Sequence, residues 1–179
     1  MYSCMWILVE GKDDKRLANA ILRPIVERQY DYVDIWEYAQ ETPKKTADFL
    51  RSINCMGADY LFFGDINASP CVTAKKEAIR SKYHCMVQSP NTVVVVKEIE
   101  SWYAAGMDDH ACQELGIASL FCTDHLTKEQ FREMMPKRFK GFVVDFMVEI
   151  LKRFSLETAR QKNRSFCYLM NVLEKSREV

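Results

Sequence analysis

Short apolar runs that alternate with amphipathic stretches constrain this chain more than any other feature. Four runs read as buried strands, at residues 5–9 (MWILV), 33–37 (VDIWE), 60–63 (YLFF) and 93–96 (VVVV). Each is rich in β-branched or aromatic residues and bounded by turn or charge signals. A fifth run, 85–88 (CMVQ), has a fainter strand pattern. Between the strands the period changes. Leu17, Ile21 and Ile25 recur at four-residue spacing and predict a helix over 13–28, which Pro24 should kink or divide. In "TPKKTADFLRSI", Thr42 is a natural N-cap, Pro43 suits the first helical position, and Phe49, Leu50 and Ile53 supply the buried face. "SPCVTAKKEAIRSKY" repeats the device, with Ser69 as the expected cap and Pro70 next. The order βαβαβαβ implies an α/β fold: a Rossmann-like, mainly parallel four-stranded sheet, flanked by helices and joined by right-handed crossovers.

From Ser101 onward the text is helical. "LTKEQFREMM" opens on Thr127 and carries Glu129, and residues 142–175 read as a long helix or a pair. Phe146, Ile150 and Leu151, then Phe166, Leu169, Met170 and Leu173, keep helical spacing there. No repeat or low-complexity linker separates the halves. The expected organisation is an α/β domain over 1–106 and a helical extension packed on it over 107–179.

Composition narrows the function classes. Lys plus Arg and Asp plus Glu both number 25, so a basic nucleic-acid surface can exist only as a local asymmetry. No apolar run approaches the ~18 residues of a membrane helix, and the run ending at Val9 lacks a cleavable signal pattern. The seven cysteines stand singly and are odd in number, which argues for reduced thiols and a cytoplasmic protein with no membrane partner. Cys122 and His125 in "CTDH", with His110 and Cys112 upstream, lack the second paired motif that a zinc site requires.

Chemistry is expected just past the carboxyl ends of parallel strands, and those positions are acidic. The first strand runs into Glu10, with Asp13 and Asp14 in the following turn. The third ends in "GDIN", with Asp65 and Asn67, and the fourth in "KEIES", with Glu98 and Glu100. Carboxylates gathered in a cleft raise one another's pKa unless a cation compensates them. Hard oxygen donors suit Mg²⁺ or Mn²⁺, whose chemistry serves phosphodiester cleavage or formation. Each acid also has a structural explanation. Asp13 is an ordinary first-turn acid and Asp65 suits a turn, whereas Glu10 ends an apolar strand where structure rarely asks for a carboxylate. Lys12, Lys15 and Arg16, with Lys97 after the fourth strand, and Lys75, Lys76, Arg80 and Lys82 on the third helix could form a phosphate-holding rim; for the third helix a solvated face is the first reading.

"ILVEGKDDKRL", followed after an intervening βα unit by "YLFFGDIN", resembles the TOPRIM domain of topoisomerases, primases and related nucleases. It is most similar to small TOPRIM proteins of the overcoming-lysogenization-defect nuclease type, whose first motif has a second acid four residues after the glutamate. Asp14 occupies that place. "VVVVKEIESWYAAG" extends the likeness, with Glu100 two before Trp102, so that the resemblance covers roughly 5–106. It implies that Glu10 is a metal ligand or general acid/base, that Asp65 is the principal metal ligand, and that Asp14 and Glu100 support one or two divalent ions. Asn67 departs from the usual second aspartate and supplies an oxygen without charge.

The expectation is therefore a Mg²⁺- or Mn²⁺-dependent nuclease or nuclease-related component acting on DNA or RNA, working as a homodimer or with a partner protein. Two alternatives stay open. One is a non-catalytic nucleotide- or protein-binding module with a degenerate metal site. The other is a flavodoxin-like nucleotide or signalling domain, which βα alternation alone also permits.

Overall fold

A strand buried on both faces must be apolar at successive positions, and three of the four runs obey this; the second alternates, with Asp34 between the buried Val33 and Ile35, as an edge strand can. A computed structural model describes residues 2–175, so Met1 and residues 176–179 of the two expected domains lie outside it. β1 (Cys4–Val9), β2 (Tyr32–Glu37), β3 (Asp59–Asp65) and β4 (Thr92–Val95) form one all-parallel sheet in the order β2-β1-β3-β4. Ile7 lies opposite Ile35 on one side and Leu61 on the other, and Phe63 opposite Val93. Ile7, Leu8, Val9, Phe62, Phe63, Val93 and Val95 are wholly buried, as an enclosed parallel sheet requires.

The run at 85–88 is not a strand. His84 and Cys85 adopt left-handed backbone (φ 52° and 61°). The Tyr60 hydroxyl then donates to the Met86 carbonyl (3.1 Å) and accepts from the Gln88 amide (2.9 Å), satisfying groups that a ladder would otherwise need.

The first crossover is one helical run in three parts: α1 (Lys12–Leu17), a π turn (Ala18–Leu22) and α2 (Arg23–Val26). Pro24 has no amide hydrogen, and its ring crowds the carbonyl of Ala20, so the wider π turn before it relieves the clash. The turn takes up an extra residue and shifts the inward face. Leu17, Leu22 and Val26 are wholly buried, while Ile21 is only half-buried.

α3 (Pro43–Met56) starts where Thr42 Oγ1 accepts from the Lys45 amide (3.2 Å) and stops at left-handed Gly57 (φ 64°). Leu50 and Ile53 pack with Leu8, Tyr60 and Phe62 on one face of the sheet, and the Phe49 ring meets Trp6 edge-on at 5.0 Å. α4 (Val72–Lys82) adds Ile79 and, just after it, Tyr83 to the same cluster. Its cap is Cys71, whose Sγ accepts from Ala74 (3.5 Å), and not Ser69. The Ser69 amide closes a turn onto the Ile66 carbonyl (3.0 Å), which uses the residues before the helix.

The chain divides into two compact units, up to Val95 and from Val96. The second is helical: α5 (Glu100–Ala105), α6 (Asp109–Leu115), α7 (Lys128–Glu133), a 3-10 turn (Lys137–Phe139), α8 (Val143–Leu151), α9 (Leu156–Lys162) and α10 (Arg164–Lys175). Thr127 and Gln130 cap α7 reciprocally (3.3 and 3.0 Å). Residues 142–175 form three helices in place of the expected one or two. Ser155 Oγ accepts from Thr158 (3.2 Å) and Asn163 Oδ1 from Phe166 (3.0 Å), so each side chain starts a new helix.

The unit's core holds Trp102, Tyr103, Phe131, Phe146 and Phe166, all wholly buried. Trp102 Nε1 donates to Ser165 Oγ at 2.7 Å. Gly106 is obligatory there, because a Cβ would collide with the Phe154 ring. Among the described residues no helix is long and apolar enough to cross a membrane.

Candidate functional site at the carboxyl edge of the sheet

The order β2-β1-β3-β4 sends the chain one way from β1 and the other way from β3. Between the carboxyl ends of these two strands lies the crevice where open α/β sheets bind ligands. Glu10 stands directly after β1 and Asp65 ends β3. Both are half-buried, and Glu10 Oε2 accepts from the Asp65 amide at 3.3 Å. The structure thus unites two acids that lie 55 residues apart.

Asp14, in the first turn of α1, is 6% exposed. Its Oδ2 accepts from the Gly11 amide (3.1 Å), while Oδ1 is buried with no hydrogen-bond partner among the described residues. Burial, followed by the negative charges of Glu10 and Asp13, raises its pKa to about 7; bonds from the Asp14 and Gly11 amides oppose the rise. Tyr38, just past β2, feels the same field. Burial first, then Glu10, Tyr83, Asp14 and Asp65, push its hydroxyl far above the usual range, and it stays neutral as it donates to the Phe63 carbonyl (2.7 Å).

The other expected site residues are more dispersed. Asn67 is exposed in the turn after β3 and left-handed (φ 48°), a conformation that asparagine tolerates. Lys12 is exposed, and Lys15 Nζ lies 3.3 Å from Glu37, the last residue of β2. Arg16 pairs with Asp13. Glu100 and Lys97 belong to the second unit. There Glu100 opens α5, is 3% exposed and lies 3.5 Å from Lys128 Nζ, whereas Lys97 is exposed in left-handed backbone (φ 67°).

Among the described residues no three His, Cys, Asp or Glu side chains are arranged to hold one ion. The fit to a divalent cation is one of donor chemistry. Glu10, Asp14 and Asp65 offer only hard oxygens, and Asp14 Oδ1 is an acceptor left without a donor among the described residues, in a place that disfavours its charge. Mg²⁺ commonly takes one or two carboxylates and fills its other positions with water and phosphate oxygens, which matches an edge of this kind.

One part of the site draws on a helix whose lysines read first as a solvated face. Beside Glu10 opens a cleft of about 140 Å³ lined by Tyr38, Ser69, Lys75, Lys82 and Tyr83, among others. Lys75, Ile79 and Lys82 fall at helical i, i+4 and i+7 positions on α4, and Tyr83 follows as its C-cap. That spacing was the available signal. It was masked because lysines also occupy the neighbouring faces of the helix. Glu37 was missed, although it ends a strand like the other acids.

No protein-family model, curated protein or solved structure matches the chain.

Proposed function

We propose that the carboxyl edge of the sheet holds Mg²⁺ or Mn²⁺ and that the protein is a metal-dependent nuclease of the TOPRIM type, acting in the cytoplasm. The observation that carries this reading is the buried Asp14 carboxyl, with one oxygen unpartnered among the described residues, in the field of Glu10, which itself meets Asp65 at the switch point of the sheet. The likeness of "VEGKDD" and "FFGDIN" to TOPRIM motifs supports it.

Glu10, Asp14 and Asp65 would hold the ion, and Asn67 would offer a neutral oxygen. When bound, such an ion offsets charge on a phosphoryl oxygen and acidifies a water. The chain's own residues prepare the place. The Asp65 amide orients the Glu10 carboxylate. Asp14, whose carboxyl is pushed up to about 7, would release its proton to solvent on meeting a cation. Neutral Tyr38, tied to Phe63, shields the apolar side without adding charge.

The test is cleavage of plasmid, single-stranded DNA and RNA in Mn²⁺ and Mg²⁺. Wild type should cut, EDTA should stop it, and Glu10→Gln or Asp65→Asn should lower the rate by roughly 100-fold or more. Cutting that survives Glu10→Gln would remove the site assignment. A second reading, a non-catalytic nucleotide- or protein-binding module, is favoured by the lack of a ready-made three-ligand group among the described residues. It predicts binding without cleavage of any substrate.

A further inference from the structure

The cleft beside Glu10 brings a carboxylate and two lysines together without pairing them. Lys75 is half-buried and makes no ion pair among the described residues. Its neighbours on α4 are engaged: Lys76 Nζ donates to the Ser89 carbonyl (3.0 Å), and Arg80 lies 3.8 Å from Glu77. Lys82 sits over the Tyr83 ring at 5.3 Å and also lines the cleft.

The Lys75 stem lies against the end of the strand. A Cβ on Gly64, the penultimate residue of β3, would lie 3.5 Å from Lys75 Cε and 2.8 Å from Ile79 Cδ1. Glycine weakens a strand interior, and a common reason to find it there is the close approach of another group. Here the tight neighbour is Ile79 Cδ1, while the Lys75 stem passes Gly64 at ordinary van der Waals distance and reaches the cleft that Glu10 also lines.

We infer that this cleft seats one backbone phosphate of a nucleic-acid strand, anchored by the Lys75 ammonium and assisted by Lys82 and the Ser69 hydroxyl. The inference rests on the proposed function for the identity of the strand, and it needs no metal. A volume of about 140 Å³ takes a phosphate, but it is well below the roughly 300 Å³ at which drug-sized ligands are enclosed. Bases therefore stay outside. Contacts of this kind position a strand without reading its sequence, so the protein should bind strands with little base preference.

The test uses a fluorescein-labelled single-stranded oligothymidine in EDTA, read by anisotropy, beside an uncharged methylphosphonate strand of equal length. Wild type should bind the phosphate strand and not the methylphosphonate one. Lys75→Gln should weaken binding about tenfold and flatten the slope of log affinity against log salt by about 0.7. Lys75→Arg should retain most of the affinity, and Lys76→Gln should stay within about twofold of wild type. No binding by wild type, wild-type affinity in Lys75→Gln, or an equal loss in Lys76→Gln would overturn the inference. The two readings fail separately. Mn²⁺-dependent cutting with unchanged affinity in Lys75→Gln sinks only the anchor, and Lys75-dependent affinity without cutting of any substrate sinks only the nuclease.

Discussion

At the scale of single residues, Asp14 makes the sharpest claim. Folded, it holds its proton up to about pH 7; unfolded, it releases it near 3.8. Between those values the folded state binds more protons, so stability falls as pH rises through the window and the full penalty is present above pH 7. A divalent cation beside the ionised carboxyl offsets that penalty and competes with the proton. Mn²⁺ should therefore raise the melting temperature more at pH 8 than at pH 5. Asp14→Asn should flatten the pH dependence and remove most of the Mn²⁺ shift. Calorimetry at the two pH values checks both, and equal Mn²⁺ shifts at pH 5 and pH 8 would exclude Asp14 as a ligand. Glu10 and Asp65 were legible in the sequence because each breaks the pattern of an apolar strand at its tip. Tyr38 was not, since a tyrosine after a strand looks like surface, and Lys75 was a rim candidate outweighed by the solvated-face reading of a charged helix.

Among the elements, capping decides where helices begin. Thr42 caps α3 through Oγ1, whereas Ser69 closes a turn two residues ahead of the real cap, Cys71. Urea unfolding should show a loss of about 1 kcal/mol for Thr42→Ala and a change within about 0.5 kcal/mol for Ser69→Ala. A large cost at Ser69 would mean that the helix starts where the sequence suggested. The two segments look alike on paper, each a hydroxyl residue followed by proline. What separates them is the turn that Ser69 makes with Ile66, a tertiary choice that local pattern does not encode. The π turn is similar. Pro24 announced a break, but the one-residue shift of the buried face from Ile21 to Leu22 depends on how the chain absorbs it. Ser155 and Asn163 split the last helical stretch by a rule that sequence allows and does not enforce, because both residues also occur inside helices.

For the whole molecule, strand–helix alternation made the parallel sheet readable, and the positions of β1 to β4 follow the four apolar runs within one or two residues. The boundary between the two units was harder to see. It falls inside "VVVVKEIE", with no proline, glycine or polar linker to mark it, and the chain turns at Lys97 in left-handed backbone that a lysine does not advertise. Glu100 illustrates the consequence. The resemblance made it a supporting ligand; it opens α5 in the second unit, buried with Lys128 Nζ 3.5 Å away. The central claim then rests on the first unit, where Glu10 meets Asp65 at the strand ends and buried Asp14 lies in the field of Glu10. Anomalous diffraction from a crystal of the protein soaked in Mn²⁺ tests that claim most directly. The account predicts a peak in the β1–β3 crevice within coordinating distance of Glu10 and Asp65, at roughly 2.0–2.3 Å from their oxygens. A well-diffracting crystal with Mn²⁺ bound elsewhere and no peak between those two carboxylates would contradict it.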